Sequence, residues 1–346
     1  MDLGENQGGI SFITKYMKGN KIKTLVNDSI KCECLPGYHG NDCSLPEVIW
    51  RAFIAYRQET VIHKRKGNMR RIIHMFTINH QADIPLAVIK INELYDTVDL
   101  FIVTESNRTQ YGNTKPFYFK KKLDEGLCRE KQDKILYTPI NKGWKDNTLS
   151  QVVWEKSRKI IKNLRDDDLF IYLDSSEIPN IKALLFFKLY DGFALPFQFR
   201  MKWNVYGYFY QHPEKTKQIT TGVTAQMLDD IYKSNQDSTP NGGGLVIGDL
   251  NHYGGWLCEF CYDAKVILRI IQTSEKFASL LPSRNKVMDV KYVEEFIGNG
   301  LYVDGKTALI KKSEESDTYF APAFATQQYW KFDFLLINFY NKIDYN

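Results

Sequence analysis

Apolar residues follow two alternating rhythms along this chain. Mainly apolar runs of strand length occupy 71–79, 99–104, 134–138 and 169–173. Between them, at 83–95 and 149–164, apolar residues return at helical spacing, and in the first of these Leu86, Ile89, Ile91 and Leu94 share the inward face. A strand, a helix and a second strand within about 35 residues make a βαβ unit, which predicts a parallel sheet with a right-handed crossover. A further helix is expected over 181–190, ended by Asp191-Gly192. The aromatics of 196–211 then suggest antiparallel strands, and Asn241-Gly242-Gly243-Gly244 opens a turn before a strand at 245–247. Helices at 265–281 and 290–297 and an apolar, aromatic segment at 327–340 close the chain. The expected organisation is an unassigned segment at 1–30, a cysteine loop at 31–48, a connector at 49–69 that includes most of a short helix over 48–56, and one α/β domain over 70–346.

Composition narrows the function classes. With 346 residues, 43% of them hydrophobic, the chain can bury one large core, so disorder is excluded as an overall description. The net charge of +5 comes from scattered Lys and Arg, which suits anionic substrates and gives no nucleic-acid binder. The dense clusters Lys64-Arg65-Lys66, Arg70-Arg71 and Lys120-Lys121-Lys122 are expected to be solvated faces. No apolar run approaches the roughly 20 residues that span a bilayer, and the first thirty residues lack a signal peptide's pattern. Either the protein is soluble, or this chain lacks its natural N-terminal anchor.

Cys32, Cys34 and Cys43 form Cys-x-Cys-x8-Cys around Pro36-Gly37-Tyr38 and Gly40, the second half of an EGF-like module. Three cysteines cannot all pair there, so Cys34 and Cys43 are the expected bridge and Cys32 needs a partner elsewhere or stays free. An oxidising, secretory-pathway compartment follows. Two N-glycosylation sequons begin at Asn27 and Asn107.

Four stretches offer chemistry. Asp167-Asp168 launches the strand at 169–173, which delivers Asp174 and Glu177 into a turn closed by Pro179. At the carboxyl end of a parallel strand, hard oxygen ligands suit Mg²⁺ or Mn²⁺ on a substrate's phosphates. Alternatively these carboxylates cap the helix that begins near Ile181. Thr104-Glu105-Ser106-Asn107 ends the second strand, where polar groups can bind a nucleotide's base and ribose or simply form a turn. The run from His252 to Cys261 carries a His, a Gly pair, Trp256 and Cys258-x-x-Cys261. A disulfide there suits the oxidising compartment better than zinc or a redox pair, and His252 is either a metal or phosphate contact or a structural histidine. The aromatics from Phe197 to Tyr210 are either core or a sugar-stacking wall.

These stretches, in this order, resemble glycosyltransferase family 17, the β-1,4-mannosyl-glycoprotein 4-β-N-acetylglucosaminyltransferases that add the bisecting N-acetylglucosamine to N-glycans. The residues that carry the resemblance are Arg70-Arg71-Ile72-Ile73, Ile78-Asn79-His80, Asn92-Glu93-Leu94 with Asp96, Val98 and Asp99, then Glu105-Ser106-Asn107, Tyr111-Gly112 and Lys115-Pro116. Asp167-Asp168 through Glu177-Ile178-Pro179, Lys188-Leu189-Tyr190-Asp191-Gly192 and His252 to Cys261 complete it.

The resemblance implies a GT-A-like nucleotide-sugar transferase domain over 70–346, with a mostly parallel sheet, preceded by the EGF-like cysteine loop. It implies UDP-N-acetylglucosamine as donor, an N-glycan on a glycoprotein as acceptor, Mn²⁺ or Mg²⁺ as cofactor, inversion at the anomeric carbon and a place in the Golgi lumen or membrane. Thr104, Glu105, Asn107 and Asp174 are then expected at the donor, Asp174, Glu177 and His252 at the metal, and Trp256 at the acceptor. Glu177 and Asp249 are the candidates for the base. Ser176 stands where the family's acidic motif has a second Asp, and a neutral hydroxyl is the weaker ligand. A second reading is therefore a weakened relative that binds nucleotide sugar or glycan without turnover, and a third is an extracellular interaction protein that uses its cysteine loop.

Overall fold

The computed structural model describes residues 22–26, 29–40, 42–56, 61–108, 113–140, 146–233, 244–273 and 288–341. The side chain of Cys32, the first two residues of the Asn27 sequon, Thr109 of the Asn107 sequon, Tyr111-Gly112, Asn241-Gly242-Gly243 and the last part of the expected 265–281 helix lie outside that description. The chain gathers into two compact units. The first comprises 1–175, 179–200 and 218–255, the second 176–178, 201–217 and 256–346.

The first unit begins with a hairpin, Ile22–Val26 against Ser29–Glu33, and the Cys34–Cys43 disulfide loop, followed by helix α1 (Glu47–Tyr56). Its nucleus is the expected alternation: β1 (Ile72–Ile78), α2 (Ile84–Leu94), β2 (Leu100–Ser106), the short α3 (Tyr118–Asp124), β3 (Ile135–Ile140), α4 (Asp146–Ile160) and β4 (Leu169–Tyr172). The strands lie parallel in the order β4-β1-β2-β3. Every residue of β1 and β2 is buried, as a sheet covered on both faces requires. Ile73, Met75, Leu100, Ile102 and Phe170 pack with Trp154 of α4 into one core. Leu86, Ile89, Ile91 and Leu94 are fully buried, as their spacing predicts.

Helix α5 (Ile181–Leu189) and the strands β5 (Phe197–Val205) and β6 (Gly207–Thr224) follow. The end of β6 runs antiparallel to β4, then come α6 (Ala225–Lys233) and β7 (Leu245–Ile247), which lies parallel to the start of β5. In the second unit, the end of β5 pairs in parallel with β8 (Gly255–Glu259). Helices α7 (Ala264–Thr273) and α8 (Val290–Asn299) enclose a core of Val205, Tyr206, Phe209, Tyr210, Ile267 and Ile297. The aromatic run is thus mostly core; Trp203 stays half-buried, its indole N–H donating to Glu259 at 2.8 Å.

The basic pair expected at the surface is buried. Arg71 grips Asp168 with two nitrogens, at 2.8 and 2.5 Å, and the Asp168 side chain is wholly inaccessible. Arg70 and Arg65 both reach Asp191, and Arg65 also reaches Asp167. Lys188 meets Asp99 at 2.5 Å. The motifs Arg70-Arg71, Asp167-Asp168 and Lys188 to Gly192 are therefore structural clamps at the amino ends of the strands. Gly192 completes them: its φ is +92° and a Cβ would stand 2.4 Å from the Val61 carbonyl oxygen. Lys120 and Lys122 of α3, by contrast, make surface pairs with Asp124 and with Glu125, the residue that ends the helix.

Stripping one partner from a buried pair strands the other charge. Asp168→Ala should cost about 3–5 kcal/mol of stability, and the partly exposed Asp167→Ala no more than about 1 kcal/mol, in urea denaturation.

Candidate active site

In a parallel sheet covered on both faces the strand middles are sealed, so polar chemistry is confined to strand ends. Three carboxyl ends matter in the first unit. After β1, the buried Asp83 accepts from the backbone N–H groups of Asn79 and His80 at 2.7 and 2.9 Å, fixing the turn into α2. Glu105 is the penultimate residue of β2 and Asn107 lies just after it; after β4 comes Asp174.

Glu105 is fully buried and its carboxylate is occupied. It accepts from the N–H of Phe119 at 3.1 Å, from that of Lys120 at 3.3 Å and from the Tyr137 hydroxyl at 3.0 Å. Burial, with the Glu105 charge beside it, drives the Tyr137 phenol well above its ordinary pKa. The Glu105 carboxylate thereby caps the first turn of α3. Thr104 lies in register with Thr77 of β1 and Thr138 of β3, and all three are buried. Asn107 is half-buried, and its side-chain oxygen has no hydrogen-bond partner among the described residues.

Asp174 is exposed where β4 runs out. Its backbone carbonyl accepts from the ammonium of Lys90, a fully buried residue of α2 whose Nζ lies 4.6 Å from the centroid of the Phe76 ring. Burial, then the Lys90 charge, hold the neighbouring His74 well below its ordinary pKa, so it adds no second charge. The alternative reading of Asp174 and Glu177 as helix caps is overturned. Asn180 caps α5, its side chain accepting from the N–H of Lys182 at 2.9 Å.

Among the described residues no group of three or more His, Cys, Asp or Glu side chains could hold a metal. His252 turns to Asp249, whose oxygens lie 3.1 Å from its Nδ1, while its Nε2 stands 3.6 Å from Glu47 of α1. Glu47 also binds His39 of the disulfide loop and Arg51. The cysteine loop is thus tied to the His252 loop, a contact between residues 200 positions apart that no local pattern could reveal. Burial alone would raise the Asp249 pKa, but the N–H groups of Asn251 and His252 and the imidazole hold it below its ordinary value. Gly254 sits against this loop, where a Cβ would stand 2.4 Å from the Ile247 carbonyl oxygen.

In the second unit, Glu177 is half-buried at the start of a short strand, Glu177–Pro179. The N–H of Cys258 donates to the Ser176 carbonyl at 2.9 Å, and Cys258 forms a disulfide with Cys261. Trp256 directs its indole N–H inward to the Tyr319 carbonyl at 2.9 Å. Both expected disulfides are present. No helix among the described residues is long and apolar enough to cross a membrane.

The sequence profile of glycosyltransferase family 17 matches residues 54–301. A Homo sapiens protein named beta-1,4-mannosyl-glycoprotein 4-beta-N-acetylglucosaminyltransferase is 29% identical over 90% of this chain. Proteins of the same name from Rattus norvegicus and Mus musculus are 30% and 29% identical over the same share. The chain spans 62–63% of the length of these relatives.

Glu105→Ala would leave two amides and a phenol unfilled in the interior. It should lower stability by about 1–3 kcal/mol in urea denaturation, whereas a carboxylate kept only for a ligand would cost nothing on removal.

Proposed function

The chain belongs to glycosyltransferase family 17, and on that premise we propose that it moves N-acetylglucosamine from UDP-N-acetylglucosamine in β-1,4 linkage to the core β-mannose of an N-glycan. The first unit is read as the nucleotide-sugar half of a GT-A-like fold, and the Cys34–Cys43 loop as part of an EGF-like module. Two disulfides suit an oxidising compartment, and the chain is assigned to the secretory pathway, in the Golgi.

The observation that carries this reading is Asp174, an exposed carboxylate at the carboxyl end of a buried parallel strand, its turn anchored by Lys90. One such carboxylate fits a hard cation that draws its other ligands from a diphosphate and water, and does not fit a cation caged by protein. Asp174 would hold Mn²⁺ or Mg²⁺; when bound, that ion offsets the charge gathering on the leaving diphosphate. His252 is left out of the ligand set because Asp249 and Glu47 face it.

In the displacement, the acceptor oxygen bonds to the anomeric carbon as the bond from that carbon to the diphosphate oxygen breaks. UDP leaves, and the hydroxyl proton passes to a base. Asp249 is assigned that role, with His252 holding its orientation. Its lowered pKa keeps it ionised well into acid, so a proton taken from the acceptor is readily given up.

Incubation with UDP-N-acetylglucosamine, Mn²⁺ and a biantennary N-glycan should add the mass of one N-acetylhexosamine. Asp174→Ala and Asp249→Asn should each lower kcat by at least about 100-fold. Because a base must be unprotonated and Asp249 titrates low, kcat should stay flat between about pH 5 and about pH 7. Donor binding without transfer would favour the weakened-relative reading instead, and an acid limb centred near about pH 6 would reject Asp249 as the base.

A further inference from the structure

Two buried polar atoms beside the end of β2 have no hydrogen-bond partner among the described residues: the side-chain oxygen of Asn107 and the ammonium of Lys115. Their residues are joined directly, the N–H of Lys115 donating to the Asn107 carbonyl at 2.8 Å. Lys115 is half-buried; its Nζ stands 5.6 Å from the centroid of the Tyr118 ring. Burial lowers its pKa, and the charges of Glu105 and Asp83 oppose that shift without bonding to it. Both of those carboxylates already accept two or more hydrogen bonds from the fold. A sheltered ammonium without a bond costs free energy, and most buried polar groups in a folded protein find a partner. This pair instead keeps one cationic donor and one neutral acceptor unused at the carboxyl end of a parallel strand, where open α/β sheets take their ligands.

We propose that Lys115 and Asn107 are the polar contacts of a nucleoside diphosphate, the ammonium donating to a diphosphate oxygen and the Asn107 side-chain oxygen accepting from a ribose hydroxyl. The inference rests on the donor reading above and gives it a cation that no metal ligand supplies. A charge-assisted contact of this kind belongs to the phosphates alone, so it separates UDP from uridine.

Calorimetric titration of the protein with UDP and with uridine, each with and without Mn²⁺, tests the assignment. Lys115→Met should weaken UDP by at least about tenfold and leave uridine within about twofold, and Lys115→Arg should restore part of the loss. Asn107→Ala should weaken both ligands by the same factor. The thermal midpoint of Lys115→Met should not fall, since the residue it removes has no bond to lose. Unchanged UDP affinity in Lys115→Met, equal loss of UDP and uridine, or a marked drop in its thermal midpoint would each overturn the proposal. Failure of the unmodified protein to bind UDP under any of these conditions would overturn the donor reading itself.

Discussion

The grip of Arg71 on Asp168 sets the direction of everything else in the first unit. It seals the amino end of the parallel strands with a buried, two-point ion pair, and Arg70, Arg65 and Asp191 extend the seal. A charge cannot be placed in the middle of strands buried on both faces without a partner there. The carboxyl ends are therefore where Asn107 and Lys115 can keep polar groups for something outside the fold. Lys90 is the exception that supports the rule: its ammonium is buried, and it holds the backbone of the Asp174 turn rather than a ligand.

Much of this arrangement is legible in sequence because it is local. The strand runs and the helical spacing of Leu86, Ile89, Ile91 and Leu94 describe the βαβ nucleus, and the cysteine spacings give both disulfides. What sequence hides is which partner each charge finds. Arg70-Arg71 reads as a solvated cluster, yet its partners Asp168 and Asp191 lie about a hundred positions away and bury it. Glu105 reads as a ligand because it ends a strand, and only the fold brings the amides of α3 and the Tyr137 hydroxyl onto it. Nothing local to His252 announces Glu47, which stands beside it from far earlier in the chain. The signal for Lys115 was in plain view in Lys115-Pro116, but an unused bond is a property of the folded chain alone.

The division between clamps and unfilled groups also separates stability from function. The ion pairs and the Glu105 cap consume their bonding capacity inside the protein and can be expected to carry stability. Asn107 and Lys115 do not, and Asp174 is open to solvent. Binding groups that await a ligand weaken the fold they sit on, and strand ends and loops are where that cost is smallest.

The central claim is that the donor and its cation gather at the carboxyl ends of the first unit's parallel strands. Paramagnetic broadening by Mn²⁺ in the presence of UDP, read on the amide spectrum of the isotope-labelled protein, tests it most directly. The account predicts that the amides of Leu173 to Ser175 and of Ser106 and Asn107 broaden first, and that Asp174→Ala abolishes the effect. Broadening centred instead on Glu47, Asp249 and His252, with Asp174 and Asn107 untouched, would contradict it.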